Sequence, residues 1–198
     1  MNRMTDKVAV VTGGGSGFGA GIARQFCDEG ARVVLLDLNQ EAAESIAKEL
    51  GETCLPVYAD ISDKSNLSSA IDQIIDWSGK IDILVNNAGV GHEPTPLYEL
   101  SEKRFDRIFQ VNMRGIYLTS NLVVPIMKAK GQGCILNIAS TAGVSPRPNL
   151  TWYNASKGWV ITATKSMAIE LAPFNIRVNA INPVAGETPL LSTFMGED

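Results

Sequence analysis

A tyrosine and a lysine four residues apart, in Tyr153-Asn-Ala-Ser-Lys157, follow closely on an apolar run that ends at Ser140. In a helix, positions i and i+4 share one face and lie one turn apart. An ammonium there stabilises the phenolate of its neighbour. That matters because free tyrosine titrates near pH ~10 and is a poor base at neutral pH, each unit of depression requiring about 1.4 kcal/mol of differential stabilisation. The loop after Ser140 brings the chain back to Tyr153, so a serine hydroxyl can hydrogen-bond a substrate oxygen at the same place. A lone Tyr-x-x-x-Lys pair is usually a surface or packing feature; Ser140 is what strengthens this one.

A second cluster of chemistry lies near the N-terminus. Thr12-Gly-Gly-Gly-Ser-Gly-Phe-Gly19 joins a β-branched run to a helical stretch. Glycines let the backbone turn there and let a pyrophosphate approach the helix N-terminus, where unpaired N–H groups and the helix dipole favour its charge. A tight strand-to-helix turn with no ligand would use glycine too, so the context counts. Asp37 ends the next strand, 20 residues after Gly17, where an acid meets the adenosine ribose hydroxyls. A 2′-phosphate would be repelled by Asp37, and no Arg or Lys lies within Gly13–Gly19 to receive one. NAD is therefore expected over NADP, against the alternative that Asp37 is a solvated strand-end carboxylate. Asp60-Ile61 and Asn86-Asn87-Ala88-Gly89 fall at the carboxyl ends of two further strands, where open α/β sheets bind ligands. Asp60 is placed to accept from an adenine amine; taken singly, both segments also suit turns and caps.

Strand and helix signals alternate along the rest of the chain. Strands are expected at Lys7–Thr12, Arg32–Asp37, Thr53–Ala59, Ile81–Asn86, Gly133–Ser140 and Ile176–Ile181, and helices at Gly17–Glu29, Gln40–Leu50, Asp63–Ser78, Ser101–Val111, Gly115–Lys130 (bent at Pro125) and Trp152–Ala172. Continuous apolar strands separated by helices imply a parallel sheet covered on both faces. The expected architecture is one α/β domain over residues 1–198: a three-layer, doubly wound, Rossmann-like sheet with first-half order 3-2-1-4.

Composition narrows the classes. With 45% hydrophobic and 19% charged residues in 198, the chain is an ordinary globular one with enough length for a core. A net charge of −4 leaves no basic stripe for nucleic acid. Cys27, Cys54 and Cys134 are isolated in apolar runs and read as small buried hydrophobes, and no CxxC or histidine cluster offers a metal site. The N-terminus lacks a signal-peptide apolar region and no apolar run reaches membrane-spanning length. A cytoplasmic protein without membrane or nucleic-acid partners is expected.

Taken in order, Thr12-Gly13-x-x-x-Gly17-x-Gly19, Asp60, Asn86-Asn87-Ala88-Gly89, Asn112, Ser140 and Tyr153-x-x-x-Lys157 resemble the short-chain dehydrogenase/reductase family across essentially the whole chain. The chain is similar to that family's 3-oxoacyl-carrier-protein reductase-like branch, which spans many substrates. The resemblance implies hydride transfer between NAD(H) and a secondary alcohol or ketone. It implies Tyr153 as general acid/base, Lys157 lowering its pKa and holding the nicotinamide ribose, Ser140 orienting the substrate oxygen, and Asn112 holding a water that relays protons to Lys157. The cofactor would be lined by Gly13, Ser16, Gly17, Phe18, Gly19, Asp37, Leu38, Asp60, Ile61, Asn87, Gly89, Tyr153, Lys157, Pro183 and Thr188.

Two departures from the family pattern stand out. Pro183-Val184-Ala185-Gly186-Glu187-Thr188 has Val184 where the family has glycine, which leaves the loop path open. The resemblance also implies a further helix and a seventh strand past Asp198, so this chain is expected to be shortened at its C-terminus, with Ile176–Ile181 a sheet edge. For the substrate, His92 beyond the Asn-Asn-Ala-Gly turn, Arg147 between Pro146 and Pro148, and Trp152 beside Tyr153 are candidate contacts. Arg147 would meet a carboxylate or phosphate; the bland alternative for each is an ordinary loop residue, and for Trp152 a cover over the helix start. The helices Gly115–Lys130 and Trp152–Ala172 resemble those that family members pack into dimers and tetramers, so a homo-oligomer is expected, a homotetramer for the full-length protein. A catalytically silent dinucleotide-binding sensor or scaffold is the alternative of a different class; it would not need Asn112, Ser140, Tyr153 and Lys157 together.

Overall fold

The computed structural model describes residues 2–195. Six strands form one parallel sheet: β1 (Val8–Thr12), β2 (Arg32–Asp37), β3 (Cys54–Tyr58), β4 (Ile83–Asn86), β5 (Gly133–Ile138) and β6 (Ile176–Ile181). Their order is β3-β2-β1-β4-β5-β6, so the expected 3-2-1-4 half is present. The chain builds outward from β1 to β3, then returns to lay β4 on the other side of β1. That reversal opens a crevice above the carboxyl ends of β1 and β4.

The strands are apolar on both faces because both faces are covered. Val10, Val34, Leu36 and Leu84 point to one side and pack with Leu67, Ile71 and Ile74 of α3 (Lys64–Ser78) and Val123 and Met127 of α5 (Gly115–Lys130). Val11, Val33, Leu35 and Val85 point to the other, against Ala23 of α1 (Gly17–Asp28) and Ala43 and Ala47 of α2 (Gln40–Leu50). Small alanines on α1 and α2 let those helices approach the sheet closely. α6 (Thr151–Leu171) is seated by Val160 against Ile116 and Ala139.

Local chemistry sets the helix ends. Asp63 caps α3 by accepting from the Ser65 and Asn66 amides, and Gly79 closes it at φ 72. Gly131, also at φ 72, closes α5, a conformation that only glycine adopts without strain. A buried polar chain ties the second half of the sheet to its helices. Thr119 Oγ1 donates to Asn86 Oδ1 (2.7 Å), Asn86 Nδ2 to Asn137 Oδ1 (2.9 Å) and Asn137 Nδ2 to Thr164 Oγ1 (2.9 Å). Each member is satisfied, so burial carries no unpaired-group penalty.

Several strands are shorter than the sequence reading has them, β1 starting at Val8, β4 at Ile83 and β5 ending at Ile138, and three further elements differ. The helix α4 (Glu102–Ile108) does not stop before α5; a π-helical turn, Phe109–Arg114, joins them. Thr53 and Ala59 lie outside β3, Thr53 being taken up by a short 3₁₀ turn. A seventh helix, α7 (Pro189–Met195), follows β6. Among the described residues no helix is long and apolar enough to cross a membrane.

Candidate active site

A cavity of about 530 Å³ lies over the carboxyl ends of the strands. At one end it is walled by the loop from β1 to α1. Gly13 (φ 64) and Gly17 (φ 50) turn that loop through the left-handed region. Gly19 sits so close to Gly13 that a Cβ on it would lie 2.0 Å from the Gly13 carbonyl oxygen. Ser16 stands at the N-cap of α1, but its side chain caps no amide, unlike Asn39 before α2 or Asp63 before α3. The first-turn N–H groups of α1 are thus left to a ligand. Asn87 fastens the end of β4 to the loop, its Nδ2 donating to the Thr12 and Gly13 carbonyls at 2.9 and 3.1 Å. Asp37 braces the loop mouth: Oδ2 accepts from the Gly15 amide and Oδ1 from the Asn39 amide, both at 2.8 Å. Asp60 is likewise engaged locally, Oδ1 accepting from the Ser62 amide and hydroxyl, which is turn chemistry of the kind its sequence position also allowed. Glycines pressed against backbone, free helix N–H groups and a strand-end carboxylate form a cradle that fits a dinucleotide.

At the other end Ser140, Tyr153 and Lys157 line the same cavity, all three buried. The Lys157 ammonium donates to the Ile138 carbonyl at 2.9 Å and lies 5.9 Å from the centre of the Tyr153 ring. Burial holds its pKa down at about 8. Burial also dominates Tyr153, pushing the phenol up, while the Ser140 hydroxyl and the charge of Arg147 pull it down. The depression of the phenol expected from Lys157 is therefore not what governs it here; desolvation is stronger. Asn112 is buried in the π turn and clamps the chain after β4: Oδ1 accepts from the Val90 amide (2.8 Å), and Nδ2 donates to the Val90 carbonyl (2.9 Å) and Ser156 Oγ (3.0 Å). Gly89 lies between the two polar groups, since a Cβ there would meet Lys157 Nζ at 3.4 Å and Asn112 Oδ1 at 3.5 Å.

A short-chain dehydrogenase family profile matches residues 7–196. The chain belongs to the short-chain dehydrogenase family. It is an oxidoreductase of that family. It is 42% identical over 202 residues to 4-formylbenzenesulfonate dehydrogenase of Comamonas testosteroni, a match that covers 98% of this chain and 78% of that one. Among solved structures, the 3-ketoacyl-(acyl-carrier-protein) reductase of Brucella melitensis complexed with NADH superposes with a TM-score of 0.96 at 51% identity, covering 97% of this chain and 81% of that chain. NAD+-bound xylitol dehydrogenase superposes at 0.89 with 34% identity, over 92% and 71%.

For this short-chain dehydrogenase the cavity gathers most residues singled out from sequence: Gly13, Ser16, Gly17, Phe18, Asp37, Leu38, Asp60, Ile61, Asn87, Gly89, Pro183, Thr188 and Arg147 line it together with Ser140, Tyr153 and Lys157. Gly19 and Asn112 do not line it; they act from behind, through close packing and hydrogen bonds. His92 is not brought to the cavity wall. It is buried, with Nδ1 2.7 Å from the Glu93 carbonyl oxygen. Trp152 also turns away, donating to the Leu97 carbonyl and meeting the Phe105 ring edge-on at 5.3 Å. It covers the helix start.

The open question of the 183–188 loop has a steric answer. The Pro183 carbonyl accepts from the Thr141 amide at 3.1 Å, and Thr188 packs on Gly17. Gly186 abuts Phe18, whose Cζ would be 2.5 Å from a Cβ there. Gly186 lets the chain cross Phe18 without moving that ring. Sequence reasoning missed the α7 wall: Leu190, Leu191 and Phe194 face the cavity, and the Phe194 ring lies 4.8 Å from that of Tyr153, tilted by 53°. Gly91 provides its seat, a Cβ there lying 2.5 Å from Phe194. The i, i+1, i+4 apolar spacing of these three was the available signal.

Proposed function

We propose that this chain is an NAD-dependent dehydrogenase of secondary alcohols, run in reverse as a ketone reductase, with Tyr153 as its general acid/base. The observation that carries the reading is the convergence of buried Ser140, Tyr153 and Lys157 on the one cavity that also holds the glycine loop and Asp37. A nicotinamide dinucleotide in this cavity supplies the hydride acceptor or donor, as the NADH- and NAD+-bound relatives support. The glycine loop and α1 hold the pyrophosphate, and Asp37, through lone pairs left over from its two amide bonds, takes the adenosine ribose. Its negative charge, with no basic residue in Gly13–Gly19, favours NAD over NADP.

The phenolate of Tyr153 takes the alcohol proton in oxidation, and the phenol so formed gives it back to the carbonyl oxygen in reduction. Ser140 hydrogen-bonds the substrate oxygen. Lys157 uses one of its three protons on Ile138, leaving two for the nicotinamide ribose and the proton path. Asn112 fixes Val90 and keeps a carbonyl lone pair for a relay water. Identity to the Brucella enzyme favours a second, narrower reading, reduction of 3-oxoacyl groups on a carrier protein. The test is turnover of a panel of secondary alcohols, ketones and 3-oxoacyl thioesters, read from nicotinamide absorbance with NAD and NADP in parallel. Protein that binds NADH but turns over no member of the panel refutes the reading and favours a silent dinucleotide-binding module. We further propose a homo-oligomer, tetrameric for the full-length protein, since Tyr117 on α5 and Ile169 on α6 are 58% and 79% exposed; a monomeric mass by light scattering at micromolar concentration overturns it.

A further inference from the structure

Three arginines line the cavity with Tyr153, Arg104, Arg107 and Arg147; of these Arg147 is the one whose charge bears on the phenol, and it has no part in hydride transfer. Arg147 lies in the loop from Ser140 to α6, held between Pro146 and Pro148, whose rings fix the backbone on either side. Its carbonyl accepts from Asn154 Nδ2 at 2.7 Å, and Asn154 is the buried neighbour of Tyr153. Two residues on, the Asn149 carbonyl accepts from the Thr95 amide at 2.8 Å. The loop is therefore anchored around an arginine that lines the cavity with Ser140 and Tyr153, and the charge of that arginine reaches the phenol.

Among the described residues Arg147 makes no ion pair. The cavity's two carboxylates, Asp37 and Asp60, cannot supply one. They end β2 and follow β3, three and four strands from β5, which is roughly 14–19 Å at the usual strand spacing. On this anchored loop the Arg147 side chain is exposed and lines the cavity that Ser140 and Tyr153 also line, and a guanidinium without an ion-pair partner there is a fork of N–H donors matched to a carboxylate. The wall nearby is apolar, from Phe194 and Leu190.

We propose that Arg147 is the specificity-determining residue of the substrate site, pairing with a carboxylate, so that the substrates are secondary hydroxy acids and the corresponding oxo acids with an apolar carbon skeleton. This rests on the hydride-transfer reading above. The test compares kcat/KM for a series of secondary hydroxy acids with that for their methyl esters, which keep the skeleton and lose the charge. The wild-type protein is expected to prefer the acids at least tenfold. Arg147→Met is expected to lower that acid-to-ester ratio tenfold or more, chiefly through KM, and Arg147→Lys to retain part of it. NADH binding, followed by fluorescence, reports an intact fold and cofactor site in each variant. Esters turned over as well as acids by the wild type, or a ratio that Arg147→Met leaves unchanged, overturns the assignment and leaves hydride transfer standing. No turnover of any alcohol or ketone by protein that binds NADH overturns the hydride-transfer reading, and this assignment with it.

Discussion

At the Gly13–Gly19 end of the cavity the groups offered to a ligand are mostly backbone N–H; at the Ser140–Lys157 end they are side chains. The first kind of site depends on room. The loop crosses so close to itself at Gly13 and Gly19 that no side chain fits between. The second kind depends on desolvation, because Tyr153 and Lys157 are both buried and both displaced from their ordinary pKa by that burial. A substitution at the first end should therefore act through shape and affinity, and one at the second chiefly through proton transfer.

The largest effect is expected from Tyr153→Phe, which keeps the ring against Phe194 and removes only the ionisable oxygen. Turnover should fall roughly 10²–10⁴-fold, the usual worth of a positioned acid/base. NADH affinity should change by less than ~1 kcal/mol, the scale of one neutral hydrogen bond. Near-normal turnover would remove Tyr153 from the mechanism while leaving the glycine end untouched.

Lys157→Met separates activity from stability. Because burial lowers the folded-state pKa of Lys157 to about 8 from 10.5, the unfolded chain binds a proton there more tightly. The buried charge therefore works against folding below about pH 8, and the wild type gains stability as pH rises from there toward 10.5. The variant should lose activity and NADH affinity, yet be more stable at neutral pH by on the order of 3 kcal/mol or less. Denaturant titrations of both proteins without cofactor, repeated up to about pH 10, should show that gap closing.

Gly19→Ala probes the other end. Its Cβ would fall 2.0 Å from the Gly13 carbonyl oxygen and 2.6 Å from Asn87 Nδ2, so the loop must shift. Overpacking of this kind costs about 1–3 kcal/mol. NADH affinity by fluorescence titration should weaken at least tenfold, whereas turnover at saturating cofactor should drop less than in Tyr153→Phe. Equal losses in both quantities would erase the division between the two ends. The smallest effect is expected from Asp37→Ala. The wild type should bind NAD at least tenfold more tightly than NADP, a difference of about 1.4 kcal/mol, and the variant should narrow it by calorimetry.

Much of the glycine end could be read from sequence because its parts are neighbours in the chain. The loop, the helix it opens and the acid at the end of the next strand fall within Thr12–Asp37, and β1, β2, α1 and α2 formed where apolar runs and glycines placed them. The chemical end was legible only in part. Tyr153 and Lys157 share a helix face, so spacing brought them together, and Ser140 set the pair apart from an ordinary surface one. Asn112 was known by resemblance, but its place in a π turn, holding Val90 and Ser156, depends on packing between segments far apart in the chain. His92 and Trp152 were natural candidates by proximity to the motifs, and packing turned both away from the cavity.

Residue type and spacing along the chain thus sufficed for the parallel sheet, the glycine cradle and the Tyr153–Lys157 pair, since hydrophobic period, glycine backbone freedom and helical repeat are local properties. Three-dimensional packing alone set the direction of the Tyr153 pKa, the seat of Phe194 over Gly91, the crossing of Gly186 past Phe18 and the isolation of Arg147 from any carboxylate in the cavity. Those features arise from desolvation, steric exclusion and distance between segments that the linear order keeps apart.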